Sequence, residues 1–257
     1  MSLTVCIPVY NCGNYIAETI ESVLSQKTSS INVVVVDNCS TDNTKEVVSN
    51  YLSRGIHYIK HESNIGGINN HNFCLNVADT EYLKLLSADD VLLPGMLNRQ
   101  LNLLHANPDC NMATCNYLVT DESLNVIKRV QNLSGKTLGK NAIAICAAKV
   151  ANLIGNPSSI MIRVSSIGIN RFESKYKWYG DLRFFCSILD GSNMINSDED
   201  GLLYRRHDSS DSNVTCFPFI RLKDELDFVN EFAKFKLEPN LRLLKRYKYA
   251  YLEHILK

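Results

Sequence analysis

The stretch INVVVVD, residues 31 to 37, constrains the fold more than any other part of the chain. Four consecutive valines leave no polar alternation, so a strand built from them must be covered on both faces. Their branched side chains also favour extended backbone over helix. The flanking sequence agrees. LTVCIPV (3 to 9) reads as a buried strand, and the segment after it places Tyr15, Ile16, Ile20, Val23 and Leu24 at helical spacing. After Asp37, Ser40 or Thr41 is expected to cap a helix carrying Val47, Val48, Tyr51 and Leu52. IHYIKH (56 to 61) is a third strand, a Gly-Asn loop leads into a helix with Phe73, Leu75 and Val77, and YLKLLSADD (82 to 90) is a fourth strand. This alternation predicts an α/β fold with a parallel sheet and right-handed crossovers.

From residue 96 the order loosens. MLNRQLNLLHAN reads as a helix, CNMATCNYLVTD as a strand, NAIAICAAKVANLI as a helix, and SSIMIRVSSIGIN as a strand and turn. GDLRFFCSILDG is a helix, and MINSDEDGLLYRRHDSSDSN is a strand running into a polar loop. Beyond about 219 the chain is charged and helical.

With 257 residues there is room for one sizeable core, or a core with an appendage. The 27 basic and 27 acidic residues cancel, so no global field points to a polyanion, and nucleic acid is not expected as a partner. Nine cysteines occur without a CxxC pair, which suits reduced, mostly buried thiols in a cytosolic protein. No charged start with a long apolar run is visible, so no signal peptide is expected, and no run of about 18 apolar residues suggests a spanning helix.

In open parallel sheets ligands bind at the carboxyl ends of strands. Three strands here end on polar clusters: Pro8-Val9-Tyr10-Asn11, Asp37-Asn38, and Ser87-Ala88-Asp89-Asp90. Neither GxGxxG nor GxxxxGK[ST] is present, so the two common phosphate cradles are missing. Adjacent carboxylates repel unless a cation or donors compensate. Asp89 and Asp90 therefore read either as a solvated turn or as a site for a hard cation bridging to ligand phosphates.

LTVCIPVYNCGNYIAETIESVLSQ, VVVVDNCSTDNT, NIGGINNHNFCLNVADTEYLKLLSADD and WYGDLRFFCSIL, in this order, resemble a family 2 glycosyltransferase of the inverting GT-A type over about residues 3 to 210. The resemblance implies a Rossmann-like, mostly parallel central sheet flanked by helices. It implies a catalytic domain over 1–215, with a nucleotide-binding half (1–95) and an acceptor half (96–215), and a helical C-terminal extension over 216–257. It further implies that Pro8, Val9, Tyr10, Asn11, Gly66 and Asn72 line the nucleotide pocket. Asp37 would read the base, Asp89 would contact ribose or metal, and Asp90 would hold Mn²⁺ or Mg²⁺. His207 would be a third metal ligand, and Arg205 or Arg206 a diphosphate contact. Asp181, at the start of a helix, would be the general base, with Trp178 against a sugar ring. Asn156 and Ser158 are weaker acceptor candidates, and His71 stands where a cationic contact is usual.

Two departures are visible. Ser87 stands where a further acid is common, and Gly180 where an acid often precedes the base. The implied activity is metal-dependent transfer from a nucleotide-sugar donor, by expectation a UDP-sugar, to a glycan or lipid-linked acceptor in polysaccharide biosynthesis. A non-catalytic sugar-nucleotide-binding module is the alternative. A sugar nucleotidyltransferase is disfavoured by the lack of basic residues after the first strand. The expected location is cytoplasmic or peripheral on the inner face of the membrane. The C-terminal stretch holding Leu243, Leu244, Tyr247, Tyr251 and Leu252 would pack on the protein, on a homodimer partner, or on that surface.

Overall fold

A computed structural model describes residues 1–208 and 218–232 of the 257. The four valines lie in β2 (Ile31–Asp37), and their side chains divide between two cores. Val33 and Val35 join one cluster, Val34 and Val36 the other. β1 (Leu3–Val9) divides in the same way, with Val5 and Ile7 on one face and Cys6 on the other. The first face is covered by α1 (Ile16–Leu24), α2 (Thr44–Ser49) and α4 (Met96–Ala106). The second is covered by α3 (Gly67–Val77), α5 (Gly139–Lys149) and α6 (Gly180–Leu189). Fully burying one such valine is worth about 2 kcal/mol, so covering both faces stabilises each strand along its whole length.

The remaining strands are β3 (Ile56–Lys60), β4 (Tyr82–Leu85), β5 (Val91–Leu92), β6 (Cys110–Thr120), β7 (Val126–Val130), β8 (Lys136–Leu138), β9 (Met161–Arg163) and β10 (Asn193–Arg205). The sheet order is β3-β2-β1-β4-β9-β6-β10-β5, with β7 on β6 and β8 on β10. The first four strands in that order are parallel, as expected. β9 then enters antiparallel between β4 and β6, so the whole sheet is mixed. β6 and β10 run parallel to each other.

Two local expectations shift. The fourth strand ends at Leu85, and residues 86 to 90 leave the sheet before β5 pairs antiparallel with Leu202 and Leu203 of β10. The carboxylates therefore stand on a short connection held from both sides. Ser40 and Thr41 do not cap α2, whose N-cap residue is Asn43, without a side-chain cap bond. Asp42, one residue earlier, accepts from the Thr44 N–H at 3.0 Å and from the Gly13 N–H at 3.0 Å. Burial would raise the Asp42 carboxyl, but the hydrogen bonds from Thr44 and Gly13 outweigh it and hold it below its ordinary value.

The eight cysteines among the described residues are free thiols. No helix among the described residues is long and apolar enough to cross a membrane. The last helix among the described residues, α7 (Pro218–Phe232), packs on the body of the protein. Its Leu222 meets Val150, and its Phe228 is fully buried against Tyr179. The stretch with Leu243 to Leu252 lies outside the described residues.

Candidate functional site

The carboxyl ends of β1, β2 and β4 meet as the strand pattern requires. Asn11, with positive φ, accepts from Thr41 N–H at 2.8 Å and donates its own N–H to Ser40 Oγ, which ties the first two strand ends together. Asparagine tolerates that left-handed conformation better than most residues. Gly13 beside it keeps room for the Asn43 side chain and the Thr44 backbone, since a Cβ there would lie 1.9 Å from Asn43 Oδ1 and 3.1 Å from Thr44 N. The result is a cleft of about 640 Å³. Of the expected residues, Pro8, Val9, Tyr10, Asn11, Gly66, Asp89 and His207 line it, joined by Asn38, Asn64 and His71.

Asp89 and His207 come together, with Oδ2 to Nε2 at 3.0 Å. The His207 ring also lies 4.6 Å from the Tyr15 ring, which holds it in place. Asp90 is different. It is fully buried and absent from the cleft lining, and its Oδ1 accepts from the backbone N–H of Arg205 at 3.1 Å. Burial pushes its carboxyl well above the carboxylate range, and the Asp89 charge adds to the effect. The Ser158 hydroxyl pulls the other way, yet no well-formed hydrogen bond reaches Asp90 Oδ2. Asp90 thus stands behind the cleft wall.

The other expected residues are placed as follows. Asp37 does not line the cleft. Its buried carboxylate accepts from Ser40 N–H at 2.7 Å and from the Tyr58 hydroxyl, with Lys60 Nζ at 3.8 Å. Through these bonds it organises the loop after β2. Asn72 clamps the backbone of Phe172 in both directions, at 2.9 Å each, and does not reach the nucleotide side. Arg205 is 3% exposed, and its guanidinium donates to Asp89 O, to Glu122 O and to the Glu18 carboxylate. Those bonds commit the charge to holding the carboxylate loop, leaving it none to offer a diphosphate. Ser158 is buried, and its Oγ accepts from Ser87 N–H at 3.0 Å. Asn156 caps the short turn at Pro157–Ser159.

A second cleft of about 670 Å³ adjoins the first, and Gly67, His71 and Tyr204 line both. Asp181, Trp178, Arg206 and Asn156 all line it. Asp181 sits in the first turn of α6, where its Oδ1 accepts from Leu182 N–H at 2.7 Å. A helix N-terminus favours the carboxylate, but burial dominates and pushes its pKa up to about 6.

Sequence reasoning missed three groups. Tyr117 and Tyr204, on neighbouring parallel strands, meet edge to face at 5.9 Å where the clefts join. Burial, then the charges of Tyr204, Asp181 and Asp90, push the Tyr117 phenol up to about 12, so its hydroxyl stays protonated within the field of both carboxylate sites. In sequence both tyrosines look like ordinary strand residues. Lys84, fully buried in β4, donates to Gln100 at 2.9 Å, and burial lowers its pKa to about 8. Asp224 of α7 accepts the N–H groups of Lys177 and Trp178 at 2.7 Å each and of Tyr179 at 3.4 Å. It thereby fixes the turn that launches Asp181. Among these, only Lys84 carried a signal, as a charge inside an apolar run.

Cation binding can be judged from the donor set. Among the described residues no group of three or more His, Cys, Asp or Glu is placed to hold a metal. Asp89 and His207 supply two, and their 3.0 Å separation matches two adjacent ligands on an octahedral ion with bonds near 2.1 Å. The Cys12 thiol in this cleft is pushed up to about 12, chiefly by burial, with Asp89, Asp42 and Asp90 adding to the effect. Asp89 and His207 supply two donors, and the remaining positions around a cation would fall to an anionic ligand and water.

Comparison with known proteins agrees with this architecture. A family model described as Glycosyl transferase family 2 matches residues 4–167, more than half of the chain. An uncharacterised glycosyltransferase of Rickettsia typhi is 26% identical over 217 residues, which is 82% of this chain and 66% of that protein. The chain spans between 40% and 66% of the length of the first curated relatives it matches. Staphylococcus aureus TarS, residues 1–349 in complex with UDP-GlcNAc, superimposes with a TM-score of 0.72 at 19% identity, covering 96% of this chain and 69% of that one. The mannosyltransferase PcManGT of Pyrobaculum calidifontis, in complex with GDP-Man and Mn²⁺, gives 0.65 at 16% identity, covering 97% and 69%. At such identities the likeness establishes a shared fold.

Proposed function

The chain belongs to glycosyl transferase family 2, and from that premise we propose that it is a metal-dependent, inverting glycosyltransferase of the GT-A fold. It carries a sugar from a nucleoside diphosphate donor, by preference a UDP-sugar, to a glycan or lipid-linked acceptor in polysaccharide biosynthesis. One observation carries the reading. Two clefts of similar size join at Gly67, His71 and Tyr204, with Asp89 and His207 in one and Asp181 in the other. The UDP-GlcNAc complex of TarS supports the donor class, and the Mn²⁺ in the PcManGT complex supports the metal.

In this reading the first cleft binds the donor. The ends of β1 and the exposed Tyr10 ring receive the nucleoside, while Asp37 and Asp42 keep the two loops in register. Asp89 and His207 would hold Mn²⁺ or Mg²⁺, and such an ion would supply positive charge to offset that of the departing diphosphate. Asp90, locked to the Arg205 backbone, keeps Asp89 at the cleft wall. The acceptor enters the second cleft beside Trp178. Asp181 takes the proton of its hydroxyl as the oxygen forms a bond to the anomeric carbon. The carbon–oxygen bond to the diphosphate breaks on the opposite face, the electron pair leaves with the nucleoside diphosphate, and the configuration inverts. A carboxyl with pKa about 6 is mostly ionised at neutral pH yet basic enough to share the proton. The free thiols suit a reducing, cytoplasmic setting.

Thermal shift tests the donor half. UDP with Mn²⁺ is expected to raise the melting temperature, GDP less so, and EDTA to abolish the rise. At 100 times Kd the stabilisation is about 2.7 kcal/mol. If no nucleoside diphosphate stabilises the protein in the presence of either metal, the donor assignment is wrong.

A further inference from the structure

The two clefts differ in charge. Among the described residues no lysine or arginine lines the first, which carries Asp89. Lys128, Lys177, Arg206 and Arg221 all line the second, and Asp181 is the only acid among its described lining residues. A chain with 27 basic and 27 acidic residues thus sets four cations along the wall of the cleft that also holds Asp181, the carboxylate assigned to the chemistry. They come from four separate places: β7, the turn before α6, the end of β10, and α7. Charges along one exposed helix face would be ordinary solvation, whereas convergence from four segments requires the fold to accept their mutual repulsion. Lys128, Lys177 and Arg206 have no ion pair among the described residues. Arg221 pairs with Glu225 at 2.9 Å and lies 4.4 Å over the Trp178 ring. The Asp224 carboxylate pins the backbone of Lys177 and Trp178, so this wall is built and not merely exposed.

We infer that the second cleft takes an acceptor that itself carries negative charge, a phosphate or a uronate carboxylate, close to its reactive hydroxyl. This rests on the reading of that cleft as the acceptor side. The cations at its rim engage the anionic group, Trp178 offers its ring to the sugar, and the hydroxyl is presented to Asp181. A neutral sugar would leave the convergent cations uncompensated. Arg206, next to Tyr204 at the seam between clefts, is the cation closest in sequence to the donor side, so the test rests on Lys128 and Lys177.

Trp178 is the only tryptophan in the chain, so its fluorescence reports occupancy of this cleft directly. The probes are glucose, glucose 6-phosphate and glucuronic acid, titrated into the full chain at low and high NaCl. At low salt glucose 6-phosphate or glucuronic acid is expected to bind about tenfold more tightly than glucose, and about 0.3 M salt removes most of the advantage by screening. Tight binding by both acids identifies charge alone as the feature read, and binding by the phosphate alone identifies a phosphoryl acceptor. The double variant K128Q/K177Q, altered only at exposed side chains, is expected to lose most of the preference. Equal affinity for glucose and both acids would overturn the inference, as would an unchanged preference in the double variant. So would competition of UDP with glucose 6-phosphate, because the cations would then serve the donor. Hydrolysis of a UDP-sugar in the presence of Mn²⁺ reports separately on the donor reading, and the fluorescence titration stands whatever that assay returns.

Discussion

Replacing Asp181 with Asn should make the protein more stable and nearly inactive, and the two effects have one cause. Burial raises the carboxyl from its ordinary 3.8 to about 6. A folded-state pKa above the unfolded value means the fold prefers the protonated form. That preference is fully present below about pH 4 and is lost as pH rises through about 6. Above that, the folded protein bears the cost of a partly buried charge. A shift of about two units corresponds to a ceiling of about 3 kcal/mol, since each unit is about 1.4. Asp181 keeps some contact with solvent, which reduces the figure to about 1–3 kcal/mol. Asparagine resembles the neutral acid, so the variant should match the parent near pH 4 and exceed its stability at pH 8. Urea melts followed at Trp178 measure this. Transfer should fall by about 10²–10⁴, the usual worth of a positioned base. The parent kcat/KM should rise with pH around an apparent pKa of about 6, with about 90% of full activity at pH 7 and 10% at pH 5. The variant should lack that limb. A variant less stable than the parent at pH 8 would make Asp181 a structural helix acid, and transfer near the parent rate would remove it from the chemistry.

Three other perturbations probe the supports. Asp224→Ala strips the acceptor from three consecutive N–H groups and should cost about 2–3 kcal/mol in a thermal melt, with kcat falling while Mn²⁺-dependent UDP binding persists. Gly13→Ala forces a Cβ to within 1.9 Å of Asn43 Oδ1 and 3.1 Å of Thr44 N, so chemical denaturation should find it about 1–3 kcal/mol less stable. His207→Ala should weaken Mn²⁺-dependent binding of UDP by about tenfold or more in a calorimetric titration, as the loss of one contact to a charged group predicts. Unchanged metal dependence there would leave Asp89 without its partner role.

Much of the fold was legible because it is local. Continuous apolar runs gave both-face burial, and period and length separated strands from helices. The carboxyl-end rule then placed Tyr10, Asn11, Asp89 and the glycine loop on one edge without any coordinates. The resemblance added Asp181 and His207, which line the second and the first cleft. What failed was orientation. Asp37 ends its strand where a ligand contact was expected, yet Tyr58 and Lys60 of β3 draw its carboxylate inward. Arg205 and Arg206 are indistinguishable as text, but strand alternation turns one toward Asp89, Glu122 and Glu18 and the other toward the second cleft.

The sequence by itself determined the layers, the parallel character of the first strands and the residue types at the strand ends, because periodicity records which face of each segment is buried. Tertiary structure alone decided which oxygen is free to meet a ligand. Asp90 is held by a residue 115 positions away, Asp89 meets a histidine 118 positions away, and the turn before Asp181 is fixed from a helix that lies beyond it in the chain. A polar atom's availability depends on every donor the fold brings near it, and no local pattern carries that information.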